Sequence, residues 1–201
     1  MTPAEFLIKW RDNPSSERAG AQAFFLDLCE LLGVEKPNDP DRYCFERGAT
    51  RTGAGRGWAD VWKRDCFAWE NKAPGKDLAA ALKQLMTYAL ALDNPPLLVV
   101  SDRQIIQIHT HFTGMPSEVH TVRLEEIGLP ANLAKLRWLF AEPDRFRPRR
   151  TDRDITLEAA GRFADIARAL EGRGHDPRRV AHQFYMDASR LPRTMWVCWN
   201  R

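Results

Sequence analysis

The sequence has no uninterrupted apolar run approaching the roughly 18 residues that a membrane-spanning helix needs. Its first residues, MTPAEFLIKWRD, are too short and too charged for a signal peptide. Cysteine is sparse and scattered: Cys29, Cys44, Cys66 and Cys198 form no CxxC pair, which excludes a zinc ribbon and a disulfide framework and fits a reducing cytoplasm. Internal repeats and low-complexity tracts are absent. Excess charge is slight, +3 net with a pI near 8.8, which is compatible with a polyanionic partner without establishing one. What is present is ordinary globular material, 44% hydrophobic and 28% charged residues. The expectation is a soluble cytoplasmic protein, 201 residues long, with room for one domain and part of a second.

Local pattern gives the element order. Ser15 and Ser16 precede ERAGAQAFFLDLCELLG, where Phe24, Leu28, Leu31 and Leu32 recur at helical spacing and Gly33 supplies a stop. Tyr43 to Arg47 reads as a first strand, followed by a Gly-rich basic stretch, GATRTGAGRG, expected to be mobile. Trp58 to Lys63 and Cys66 to Lys72 read as a hairpin turning at Arg64 and Asp65. An amphipathic helix over Lys76 to Leu92 follows, ended by Pro95 and Pro96; LLVVS, QIIQIHT and VHTVRL then supply two or three further strands. This order predicts an α/β fold, a mixed sheet with helices on its faces. Helices are expected over Ala131 to Phe140, Ile155 to Leu170 and Pro177 to about Ser189. The charged segment Arg145 to Arg153 marks the boundary between a domain over 1–145 and a helical segment over 146–190, with an irregular tail over 191–201.

The chemistry concentrates on the hairpin. Strand side chains alternate between faces, so Glu70 and Lys72 share one side, and folding about Arg64 and Asp65 sets Asp60 opposite or diagonal to Glu70. Two carboxylates in proximity repel unless a cation lies between them, and hard oxygen donors suit Mg²⁺, with Mn²⁺ as a substitute. An exposed Asn71 carbonyl would be a third metal ligand beside Asp60 and Glu70. Lys72 would orient a water or offset charge developing on a phosphodiester. Gln84 and Tyr88, four apart on the following helix, form a QxxxY pattern similar to one found near the active site of RecB-like nucleases. Gln84 would touch a phosphate or position the lysine; Tyr88 reads either as a DNA-facing residue or as a core aromatic. Arg51, Arg56 and Lys76 flank the motif as candidate phosphate contacts, the alternative being solvated loop charges. Basic residues also crowd Arg47 to Arg64 and Arg145 to Arg153, to the same two possible ends.

The run GRGWADVWKRDCFAWENKAPGKDLAAALKQLMTYAL, preceded by ERAGAQAFFLDLCELLGV, resembles the N-terminal cleavage domain of the MmeI-like (type IIL) restriction-modification enzymes. The similarity covers most of residues 15–185. It implies a restriction-endonuclease-like fold of the PD-(D/E)xK type, with Asp60 and Glu70 at the family's metal ligands and Lys72 at its catalytic lysine. Glu17 and Gln22 fall where the family has polar residues near the site, although an acid in a first helical turn is also favoured by the helix dipole. The resemblance further implies double-stranded DNA as substrate, and methyltransferase and target-recognition modules as partners missing from this chain.

Some features point elsewhere and are set aside. Asn94, Pro95 and Pro96 resemble the NPPY motif of adenine methyltransferases, but Leu97 replaces the aromatic and no glycine-rich cofactor loop precedes it, so a helix stop is expected and no methyltransferase activity. His109 and His111 lack a third metal ligand and read as solvent-facing strand residues. From about Tyr185 the sequence departs from the spacer pattern; a truncated or frameshifted gene is expected, with Trp196, Val197 and Trp199 on an exposed apolar tail. Three functions follow: a Mg²⁺-dependent DNA endonuclease module, an idle remnant that binds DNA or docks to a methyltransferase, and a stand-alone repair-type nuclease. Intact Asp60, Glu70 and Lys72 favour the first.

Overall fold

The strand FAWEN, which carries Glu70, lies in the interior of a six-stranded sheet and is buried along its whole length. The computed structural model describes residues 1–13, 17–50 and 56–173, with residues 17–19, 49–50, 56–58 and 171 described in their backbone alone. Arg51, the middle of the Gly-rich stretch, the expected helix over Pro177 to Ser189 and the Trp196 to Trp199 tail lie outside the described residues.

Helices α1 (Pro3–Arg11) and α2 (Glu17–Leu32) precede strands β1 (Tyr43–Thr50), β2 (Arg56–Lys63) and β3 (Phe67–Asn71). Helix α3 (Leu78–Met86) and a 3-10 turn at Leu90–Leu92 lead to β4 (Leu97–Ser101), β5 (Ile105–Thr110) and β6 (Val119–Arg123). Helix α4 (Pro130–Ala141) and, past the linker, α5 (Asp152–Gly172) complete the order among the described residues. Strand order follows sequence order, and every neighbouring pair is antiparallel except β3 and β4. That parallel pair requires a crossover, which α3 and the 3-10 turn supply. The α/β class and the mixed sheet expected from the element order are therefore what the chain adopts.

Helix α1 is an addition to the expected order, and its signal was present: Thr2 accepts the Glu5 N–H while the Glu5 carboxylate accepts the Thr2 N–H, a capping box with Pro3 at the first turn. Helix α3 is shorter than the expected Lys76 to Leu92. Asp77 caps its start, and at its end the Thr87 hydroxyl donates to the Gln84 carbonyl, after which the chain tightens into the 3-10 turn. Asp93 and Asn94 then take left-handed conformations ahead of Pro95, so the NPP segment is a stop before β4, as read.

Alternation along FAWEN divides the interior in two. Phe67 and Trp69 enter the larger core, formed with Phe6 and Trp10 of α1, Phe24, Phe25 and Leu28 of α2, and Leu136, Leu139 and Phe140 of α4. Ala68 enters a smaller core with Trp62, Leu85, Tyr88, Leu92 and Leu98, on the side covered by α3. Phe25 organises the larger one, its ring lying 5.1 Å from Trp69 and within ring contact of Phe45, Phe67 and Phe140.

The chain divides between Arg150 and Thr151 into two compact units, a few residues past the boundary read from sequence. Phe146 is the reason for the difference: it is buried in the larger core and holds its segment to the first unit. Helix α5, in the second unit, starts at a Thr151–Asp154 capping box and carries Glu158–Arg162 and Asp165–Arg168 ion pairs. Among the described residues, no helix is long and apolar enough to cross a membrane.

Two measurements test this packing. Phe25→Ala is expected to lower unfolding stability by about 3–5 kcal/mol, read from urea titrations. The second concerns His109, His111 and His120, which are shielded rather than solvent-facing; burial lowers the pKa of each below the usual 6.5, Lys135 adding to the effect at His120. The unfolded chain then binds protons first as pH drops, so stability present above pH 6.5 is lost as pH falls through the lowered folded values. Thermal midpoints should decline from about pH 7.5 to about pH 5.5; a flat profile would contradict the burial.

Candidate active site

Strands β2 and β3 pair as Val61 with Trp69, Trp62 with Ala68 and Lys63 with Phe67, around a turn in which Asp65 is left-handed and the Cys66 N–H reaches the Lys63 carbonyl. One further step along this register sets Asp60 across from Glu70. The ladder stops there, and the Asp60 carboxylate itself accepts the Asn71 N–H at 2.7 Å. On its other side β2 pairs with β1 at Phe45–Val61 and again at Arg47–Ala59, skipping Glu46 and Asp60. Glu46 has φ +53°. Both neighbours of Asp60 are thus irregular at its level, and Ala59 and Trp62, three residues apart, reach the same small core, which strict alternation would forbid.

Glu70 is only 5% exposed. Its Oε1 accepts the Lys72 ammonium at 2.8 Å and the Gln84 side-chain amide at 3.2 Å. Three of the expected site residues therefore meet at one oxygen. Lys72 is fixed at its main chain, its N–H donating to the Ser101 carbonyl on β4 at 2.7 Å. Gln84 is delivered by α3, whose Asp77 cap accepts the N–H groups of Ala79 and Ala80.

Asn71 differs from expectation. It is buried, and its side-chain oxygen accepts the Trp69 indole N–H at 2.9 Å, so its amide is committed to the larger core. Tyr88, entertained as a DNA contact, is 1% exposed in the smaller core beneath α3 and is a core aromatic. Lys76 is exposed in the loop from β3 to α3. Arg51 lies outside the described residues, as do the side chains of Arg56 and Glu17. Gln22 is exposed on α2. His111 contacts the Asn94 side chain at 3.1 Å, and no cluster of three or more His, Cys, Asp or Glu suited to a metal occurs among the described residues.

Sequence reading missed Asp102. It is almost fully buried just past β4, with one carboxylate oxygen accepting the Gly75 N–H and the other those of Gln104 and Ile105. The signal available was modest, an Asp in an SDRQ segment between two apolar strands, a common turn composition.

A mixed sheet that gathers a buried glutamate, a lysine two residues on, an amide from the crossover helix and an aspartate across the hairpin defines an α/β domain with an acidic, lysine-bearing centre. A family model described as the MmeI N-terminal domain matches residues 1–173, and the chain belongs to that family. No curated protein matches the chain. Among solved structures, a cryo-EM structure of a DrdV–DNA complex is similar at 17% identity and a TM-score of 0.45, over 84% of this chain and 16% of that one.

Lys72→Met removes the charged donor from a nearly buried carboxylate. In metal-free buffer it is expected to destabilise the fold by about 1.5–3 kcal/mol, measured by urea unfolding at neutral pH; an unchanged midpoint would mean that the pair contributes nothing.

Proposed function

We propose that this chain is a Mg²⁺-dependent endonuclease module of a restriction-modification system that hydrolyses phosphodiesters of double-stranded DNA. The observation carrying this reading is the Glu70 carboxylate, buried yet held by both Lys72 and Gln84, with Asp60 at the facing position of the hairpin, in a member of the MmeI N-terminal domain family.

The donor set suits the ion. Mg²⁺ is commonly bound through one or two carboxylates, with waters and a substrate phosphate completing its shell, so a third acidic ligand is not required. Asp60 and Glu70 would hold it, and the Asn71 main-chain carbonyl is the third candidate, its side chain being committed elsewhere. When bound, Mg²⁺ supplies counter-charge and Lewis acidity toward the phosphodiester. Lys72 places a fixed ammonium beside the same carboxylate and offsets negative charge growing on the phosphate oxygens. Gln84 holds the Glu70 carboxylate in the orientation that Lys72 requires. Arg51, Arg56 and Lys76 contact backbone phosphates, which fixes position without conferring sequence preference. Sequence choice would come from a target-recognition module, and methyltransferase and recognition modules are the partners proposed.

The test is nicking of supercoiled plasmid with Mg²⁺ or Mn²⁺, comparing the parent chain with Lys72→Ala. Loss of roughly 10²- to 10³-fold in rate is expected. Equal rates in the two proteins would end the nuclease reading in favour of an idle DNA-binding or docking remnant.

A further inference from the structure

We infer that Asp102 is a positioning residue for Lys72: its carboxylate fastens the Lys72–Asp77 loop to the β4–β5 turn, so that the ammonium and the helix bearing Gln84 arrive together at Glu70. For its place in catalysis this rests on the nuclease reading above; the fastening itself does not.

The loop lies open to solvent. Pro74, Gly75, Lys76 and Asp77 are all exposed, and two contacts are internal to the loop and helix: the Lys76 N–H to the Ala73 carbonyl, and the Asp77 cap. Its tethers to the sheet include the Lys72 ammonium to Glu70, the Lys72 N–H to the Ser101 carbonyl and the Gly75 N–H to Asp102, the last at 3.0 Å. Gly75 has φ +76°, a conformation that glycine adopts without strain and that turns its N–H toward the carboxylate.

Asp102 also has a purely local duty, since Oδ1 accepts the Gln104 and Ile105 N–H groups at 3.1 and 2.9 Å and shapes the turn. An asparagine or serine could perform that duty, because it needs one acceptor. The second oxygen is what the turn does not require, and it is the one given to Gly75. Two acceptor oxygens facing donors on opposite sides call for a carboxylate rather than an amide. In Asp102→Asn the amide oxygen can keep the turn, but its NH₂ then meets the Gly75 N–H, donor against donor. The substitution therefore separates the loop from the turn while leaving the turn intact.

The experiment uses the full chain and Asp102→Asn, with Asp102→Ser as the second variant should the asparagine protein not fold. Amide exchange is expected to accelerate at Gly75 while Gln104 and Ile105 stay protected. Lys72 should react faster with an amine-labelling reagent, read by mass spectrometry against exposed Lys76. In plasmid nicking, kcat should fall roughly 10- to 100-fold with KM for DNA unchanged. The same substitution in Lys72→Ala should add a smaller loss than it causes in the parent, because the part of its effect that runs through the Lys72 amine is already gone. Unchanged Gly75 exchange or unchanged Lys72 labelling overturns the inference, as does an equal further loss in the Lys72→Ala background. A parent chain that fails to nick DNA removes the nuclease reading alone, and exchange and labelling still decide the role of Asp102 in holding Lys72.

Discussion

A carboxylate withdrawn from water in the interior of a sheet keeps its charge only if something nearby compensates for the lost hydration. At Glu70 the compensation includes an ammonium two residues on, just past the end of the strand, and an amide from the crossover helix. This arrangement makes demands on everything around it. Lys72 must leave the strand where it can fold back, β4 must offer a carbonyl to its main chain, and α3 must begin at Asp77 to bring Gln84 over the sheet. The parallel pairing of β3 with β4 is part of the same requirement, because it makes the intervening helix a crossover lying on the Glu70 side.

Asp60 is placed by irregularity rather than by regularity. An ideal β1–β2–β3 ladder would have passed Asp60 through as an ordinary paired residue. Instead, pairing lapses on both flanks at its level, Glu46 adopts a left-handed conformation opposite it, and its carboxylate takes a main-chain N–H that it would otherwise have left to a neighbouring strand. Interrupted ladders recur where a strand must re-aim a side chain, and here the interruption falls at the residue that the motif singles out.

Much of this was legible in the residues. Short strand-like runs about a tight turn located β2 and β3, a continuous apolar run located β4, alternation located β5, helical periodicity located α2, α4 and α5, and the two-residue spacing of Glu70 and Lys72 implied their shared face. Gln84 followed from its phase on α3. What escaped has physical causes. The capping box of α1 was read only against membrane targeting, so a helix went unnoticed. Tyr88 shares helical phase with Gln84 only if the helix continues, and the Thr87 hydroxyl helps end it first, leaving the ring to fill the smaller core. Asn71 could not be placed without knowing that the Trp69 indole needs an acceptor. Asp102 acts through space on a segment 27 residues earlier, and such a partnership has no periodicity to betray it.

The strand FAWEN has a consequence for how the domain can change. Phe67 and Trp69 face one core and Ala68 the other, Trp69 anchors Asn71, and Glu70 carries the proposed chemistry. None of its five positions is idle. Replacement of the bulky aromatics would be felt at the carboxylate through Asn71, and replacement of the small alanine would push against the helix that delivers Gln84. Packing and chemistry are inherited together on this strand, so a change at any of its positions is felt in both.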